Sequence, residues 1–134
     1  MITDQIIKIL KSAKNIAVVG CSRDPGKDSY IVAKFLKDAG FTIIPVNPFA
    51  DEIMGLKSYK SLSEVKGRVD IVNIFRPSFE VLPVIEEAVS LKPALIWMQI
   101  GIKSRKGYDI ASKKGIQVVM DKCIMVEYRY SIYS

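Results

Sequence analysis

Five short stretches of this chain carry groups that could contact or react with a ligand, four of them beside glycine or proline. The first is Gly20-Cys21-Ser22-Arg23-Asp24-Pro25-Gly26-Lys27-Asp28-Ser29, between an apolar run and a helical pattern. A glycine at such a corner lets backbone approach a ligand, and the N–H groups opening the next helix attract an anion. Ser22, Lys27 and Ser29 add hydroxyls and a positive charge. These are the parts of a phosphate cradle. The same residues would also make an ordinary surface loop, and position after the first apolar run is what favours the cradle.

Two familiar phosphate motifs do not fit. Ser22 stands where G-x-G-x-x-G needs its second glycine. Gly20 and Gly26 are one residue too far apart for a P-loop, and Asp28 replaces its metal-binding hydroxyl, which argues against an NTPase. The second stretch, Val46-Asn47-Pro48-Phe49, lacks the carboxylate that a nicotinamide dinucleotide site places there for the ribose. A neutral, proline-stiffened edge suits an adenosine or a plain turn.

Phe75-Arg76-Pro77 offers an aromatic wall and a phosphate contact, and Gln99-Ile100-Gly101 an amide beside a glycine. Trp97 and Met98, just before, read as core. Cys123, beside Lys122, is a candidate reactive thiol; Cys21 reads as a small space-filler. Asp24, Asp28 and Asp121 lie near these stretches without a recognisable acid–base partner. Tyr128, Tyr130 and Tyr133, with Arg129 among them, read as a packing or dimer face rather than a base-stacking surface.

Composition narrows the chemistry. The 134 residues contain no histidine, which excludes imidazole bases and histidine-ligated zinc. Two cysteines are too few for a disulfide scaffold and fit a reducing compartment. A net charge of +6 favours anionic partners without choosing among them. The N-terminus shows no signal-peptide pattern, and every apolar run falls short of the about 18 residues of a membrane span, so a cytoplasmic location is expected.

The elements that must position these groups alternate. Apolar strands are expected at 15–20, 41–46, 69–75, 94–98 and 116–120. Helices are expected over 4–13, with Thr3 or Asp4 as cap, over 29–40, from near Pro83, over 105–114 and in the tail from Lys122 to Tyr133. A short helix opened by Ser61 falls within 56–66. One α/β domain over 1–134 is the reading: a Rossmann-like, doubly wound parallel sheet of five strands with helices on both faces. Such sheets bind ligands beyond the strand carboxyl ends, where strand order reverses. All five stretches belong to that edge.

In order, these stretches resemble the CoA-binding Rossmann domain family, small single-domain relatives of the nucleotide-binding domain of the succinyl-CoA synthetase alpha subunit. The likeness rests on Val18–Ser29, Pro45–Pro48, Val69–Pro77, Trp97–Gly101 and Val118–Cys123, spanning about residues 14 to 127. Cys21 departs from the small residue, such as alanine, common there. The resemblance implies binding of coenzyme A, with Gly20, Ser22, Lys27 and Ser29 around the diphosphate and Asn47 and Pro48 bordering the adenosine. Phe75, Arg76 and Pro77 would line the next stretch, and Gln99 and Gly101 would face the pantetheine. Arg23, Lys27 and Arg76 are the candidates for the 3′-phosphate. Because the synthetase's phosphorylated histidine has no counterpart, the expectation is a non-catalytic binder of coenzyme A or an acyl-CoA, and a redox-linked carrier or sensor through Cys123. A homodimer through the tail is a further expectation, with no membrane or nucleic-acid partner. The alternatives are a small NAD(P)-dependent oxidoreductase and a nucleotide-binding interaction module.

Overall fold

Each apolar run becomes a strand that is covered on both faces. In the computed structural model, which describes residues 2–133, these are Asn15–Val19 (β1), Thr42–Val46 (β2), Ile71–Ile74 (β5), Leu95–Met98 (β6) and Gln117–Val119 (β7). All pair in parallel, in the order β2-β1-β5-β6-β7. A two-stranded antiparallel hairpin, Glu52–Ile53 (β3) with Leu56–Lys57 (β4), lies outside this sheet.

The helices are Asp4–Ser12 (α1), Asp28–Asp38 (α2), Val81–Ser90 (α3), Arg105–Lys113 (α4) and Ile124–Ser131 (α5). Thr3 caps α1, its hydroxyl accepting the Ile6 N–H at 3.2 Å. Ile6 and Leu10, one turn apart, bury that helix's apolar stripe. On one sheet face Ile16, Val18, Ile71, Leu95 and Trp97 share a core with residues of α1, α2 and α5; on the other, Val19, Val72, Ile74, Ile96 and Met98 share one with α3 and α4.

Asp70 fixes the starts of β1 and β5 relative to each other. Its Oδ2 accepts the Lys14 and Asn15 N–H groups at 2.9 and 3.0 Å, while Oδ1 takes Arg68 Nε at 2.7 Å. Burial would raise its pKa, but the two backbone donors and the Arg68 guanidinium outweigh that and hold the carboxyl below its ordinary range.

Two expectations are corrected. Helix α3 starts at Val81, after a 3₁₀ turn at Ser78–Glu80, rather than near Pro83. A proline is tolerated anywhere in the first turn, where its missing N–H has no intrahelical acceptor, so it does not mark the first residue. The helix opened by Ser61 is only a three-residue 3₁₀ turn, Leu62–Glu64, and the Ser61 hydroxyl pairs with that of Ser63 at 2.7 Å instead of capping it.

Candidate functional site at the strand carboxyl ends

Strand order reverses between β1 and β5: the chain steps one way from β1 to β2, and the other way from β5 through β6 to β7. The register aligns Val19 with Val46 and with Ile74, and Ile74 with Met98. Asn47, Gly20, Phe75 and Gln99 each come one residue later. They therefore stand side by side, in that order, along the carboxyl edge.

Gly20 is where two segments come closest. Its φ is +82°, and a Cβ there would lie 3.1 Å from both the Phe75 carbonyl oxygen and Arg76 Cδ. Only glycine fits without strain. The loop beyond folds on its own side chains. The Ser22 N–H donates to the Ser29 hydroxyl at 2.9 Å, the Asp24 N–H to the Ser22 hydroxyl at 3.0 Å, and the Gly26 N–H to Asp24 Oδ1 at 2.9 Å. It delivers the chain to the amino-terminal end of α2 with Lys27 at the N-cap position. Among the described residues Arg23 and Lys27 are exposed and carry no ion pair, whereas Arg76 pairs with Glu80.

Asn47 ties two of these loops together. Its Nδ2 donates to the Cys21 carbonyl at 2.9 Å and its Oδ1 accepts the Phe49 N–H at 2.8 Å, so the side chain clasps the first loop to the second. Cys21 is wholly buried in the core, its carbonyl is held by Asn47, and burial pushes its thiol up to about 11. Pro48 and Pro77 are exposed on the rim.

The loops after β6 and β7 are tied likewise. Gly101 donates its N–H to Asp121 Oδ1 at 2.7 Å, and Lys103 Nζ lies 3.4 Å from Oδ2. The Gly101 N–H, helped by Lys103 and Lys122 against slight desolvation, holds the Asp121 carboxyl below its usual range. The buried Gln99 accepts the Ile124 N–H at Oε1, 2.8 Å away, and so seats the first turn of α5 against the sheet edge. Cys123, half-buried at the N-cap of α5, lines a cleft of about 230 Å3 with Phe75, Gln99, Ile31, Val32, Ile100 and Met125.

The structure thus brings Gly20, Ser22, Lys27, Ser29, Phe75, Arg76, Gln99 and Cys123 to one edge. Four wall residues of the cleft, Ile31, Val32, Ile100 and Met125, escape sequence reasoning because apolar residues at helical or strand-end positions read as core. A larger hollow of about 560 Å3 follows the open side of β7 between Ile6 and Tyr108, but Lys122 is the one cation among its described lining residues and it lies away from the switch point. Among the described residues no cluster of acidic or cysteine side chains is suited to a metal, and no helix is long and apolar enough to cross a membrane.

A family model described as a CoA binding domain matches residues 14–129. The chain belongs to this CoA-binding family. Over 124 residues it is 43% identical to the uncharacterized protein YneT of Bacillus subtilis, covering 92% of each. It is also 32% identical to an ADP-forming acetate–CoA ligase of Methanocaldococcus jannaschii, where the match takes 90% of this chain but only 18% of the ligase. Among solved structures, a Thermus thermophilus protein designated cell-free ID.343 superposes with a TM-score of 0.91 at 36% identity, covering 96% of this chain and 98% of its own. A hypothetical protein of Pyrococcus horikoshii OT3 gives 0.92 at 30% identity, covering 97% and 92%. The Rossmann-like, parallel α/β reading of the sequence therefore holds for this CoA-binding domain.

Its positive charge is not confined to the carboxyl edge. Lys11, Lys14, Lys37, Lys92 and Lys114 stand at helix ends or loops leading into the strands, on the opposite end of the sheet. At the carboxyl edge Arg76 and Lys103 are matched by Glu80 and Asp121. Overall charge is thus a weaker argument for an anionic ligand than the sequence suggested. The local donors are the stronger one.

Proposed function

We propose that this domain binds coenzyme A across the β1–β5 switch point and acts as a binding protein rather than a catalyst. The observation that carries this is the close approach of Gly20 to the Phe75 carbonyl and the Arg76 side chain beside the amino-terminal end of α2, in a chain matched along 14–129 by a CoA-binding family. The α2 N–H groups, with Ser22, Ser29 and Lys27, suit the diphosphate. The adenosine would lie towards Asn47 and Pro48. The pantetheine would cross Phe75 towards Gln99 and Gly101, its sulfur end at the cleft beside Cys123. Arg23 and Lys27, with no ion-pair partner among the described residues, are the better readers of the 3′-phosphate, since Arg76 is engaged by Glu80. Ligase activity belongs to relatives of which this chain spans a small part, and it is not carried over.

Calorimetric titration of the reduced protein with CoA, dephospho-CoA, ATP and NAD tests the reading. Micromolar or tighter CoA binding, weakened for dephospho-CoA and absent for NAD, is the expected pattern. Tight NAD binding without CoA binding would favour the oxidoreductase alternative instead.

A finer reading concerns Cys123. Placed at the mouth of the cleft, its thiolate can attack CoA disulfide: the S–S bond of that disulfide breaks, one CoA thiolate leaves, and a Cys123–CoA disulfide forms without another oxidant. The domain would then act as a redox-linked carrier or sensor of coenzyme A. Mass spectrometry after incubation with CoA disulfide should show one added CoA moiety on the wild type and none on Cys123→Ser. The buried Cys21, with its raised pKa, should stay unmodified. An equal adduct on Cys123→Ser would remove Cys123 from this role.

A further inference from the structure

The cleft beside Cys123 is built for something other than a phosphate or a thiol alone. Its walls come from separate elements: Ile31 and Val32 on α2, Phe75 after β5, Ile100 after β6, and Met125 on α5. Ile31 and Ile100 are 46% and 68% exposed, so two aliphatic side chains from different elements face water at one opening. Scattered exposed apolar residues need no explanation, but converging ones around a concavity mark a binding surface. Among the described residues the single charged group in the lining is Asp28, an acid; no lysine or arginine lines the cleft. Gln99 adds the polar handle. Its Oε1 is occupied by the Ile124 N–H, which leaves Nε2 as a donor for a carbonyl.

We infer that this cleft is an acyl-group pocket, and that the domain prefers CoA thioesters of short, uncharged aliphatic acids to free CoA and to thioesters of dicarboxylic acids. The inference rests on the CoA reading above and names the ligand class within it. A cleft of about 230 Å3 has room for a short acyl chain. A terminal carboxylate, as in succinyl-CoA, would meet apolar walls and the Asp28 carboxylate, with no cation among the described lining residues to pair it. Met125, unbranched and adaptable, suits a pocket that accepts several chain lengths.

Calorimetric titration with CoA, acetyl-, butyryl-, hexanoyl- and succinyl-CoA tests it. Affinity is expected to rise about three- to fourfold per added methylene up to the capacity of the cleft. Succinyl-CoA should bind at least tenfold more weakly than butyryl-CoA. Ile100→Ser, a change on an exposed loop, should bring the ratio of butyryl-CoA to CoA affinity towards one. Butyryl-CoA should also slow alkylation of Cys123 by iodoacetamide more than CoA does. Equal affinity for CoA and butyryl-CoA, or succinyl-CoA binding as tightly as butyryl-CoA, would overturn the acyl pocket while leaving CoA binding intact. Failure of every one of these ligands, CoA included, would instead overturn the reading on which it rests.

Discussion

Gly20→Ala is expected to lower CoA affinity by about a hundredfold, equivalent to about 2.7 kcal/mol. The substitution meets two obstacles at once. The backbone sits at φ +82°, where a side chain is strained, and the new Cβ would stand 3.1 Å from the Phe75 carbonyl oxygen. That oxygen belongs to backbone leaving β5, so relief requires the first loop to lift away from the Phe75–Arg76 segment. Lifting it withdraws the Gly20–Ser29 donors from the position they share with the amino-terminal end of α2. A stability loss of roughly 1–3 kcal/mol should accompany it. Gly40→Ala separates the two effects. Gly40 has φ +111°, a Cβ added there would meet nothing within 4 Å, and the residue follows α2 at the opposite end from the site. That variant should lose stability and keep CoA affinity. If Gly20→Ala binds CoA as the wild type does, the switch point is not the ligand site.

The largest stability effect is expected at Trp97. Its side chain is wholly buried, and its Nε1 donates to the Lys122 carbonyl at 2.7 Å. The ring therefore fills the core under α5 and also pins the turn that presents Cys123. Trp97→Ala should cost about 3–5 kcal/mol in urea unfolding and lower Tm by roughly 10–20 °C. Trp97→Phe keeps much of the volume but strands the Lys122 carbonyl, so about 1–3 kcal/mol is expected. In the folded fraction of Trp97→Phe, exchange of Cys123 with CoA disulfide should be altered, because the residue before it has lost its tether. A loss below about 1 kcal/mol for the alanine variant would mean that Trp97 is not the keystone its burial implies.

The strands were legible because each is a short apolar run closed by glycine, proline or a polar residue, and a sheet buried on both faces leaves little else for such runs to do. The rule that ligands bind beyond the carboxyl ends of the strands then selects these loops from the strand pattern alone. The β3–β4 hairpin was not legible: its turn is Met54-Gly55, both at positive φ, whereas Asn-Gly or Asp-Gly is the usual signal. Asn47 shows a second limit. Its place at the strand end was readable, but its bond to the Cys21 carbonyl joins residues 26 apart in sequence and depends on the parallel register of β1 and β2. The Asp121–Gly101 clasp, 20 residues apart, is hidden for the same reason. Ile31, Val32, Ile100 and Met125 were hidden by chemistry rather than distance, since an apolar side chain carries no mark that tells a ligand wall from a core.

Backbone amide NMR during titration with CoA shows directly which residues the ligand reaches. The largest shifts are expected on Gly20, Ser22, Ser29, Phe75 and Gly101, with Thr3, Gln117 and Lys92 little moved. Shifts concentrated along the open side of β7, or at the basic end of the sheet around Lys14 and Lys92, would contradict binding across the β1–β5 switch point.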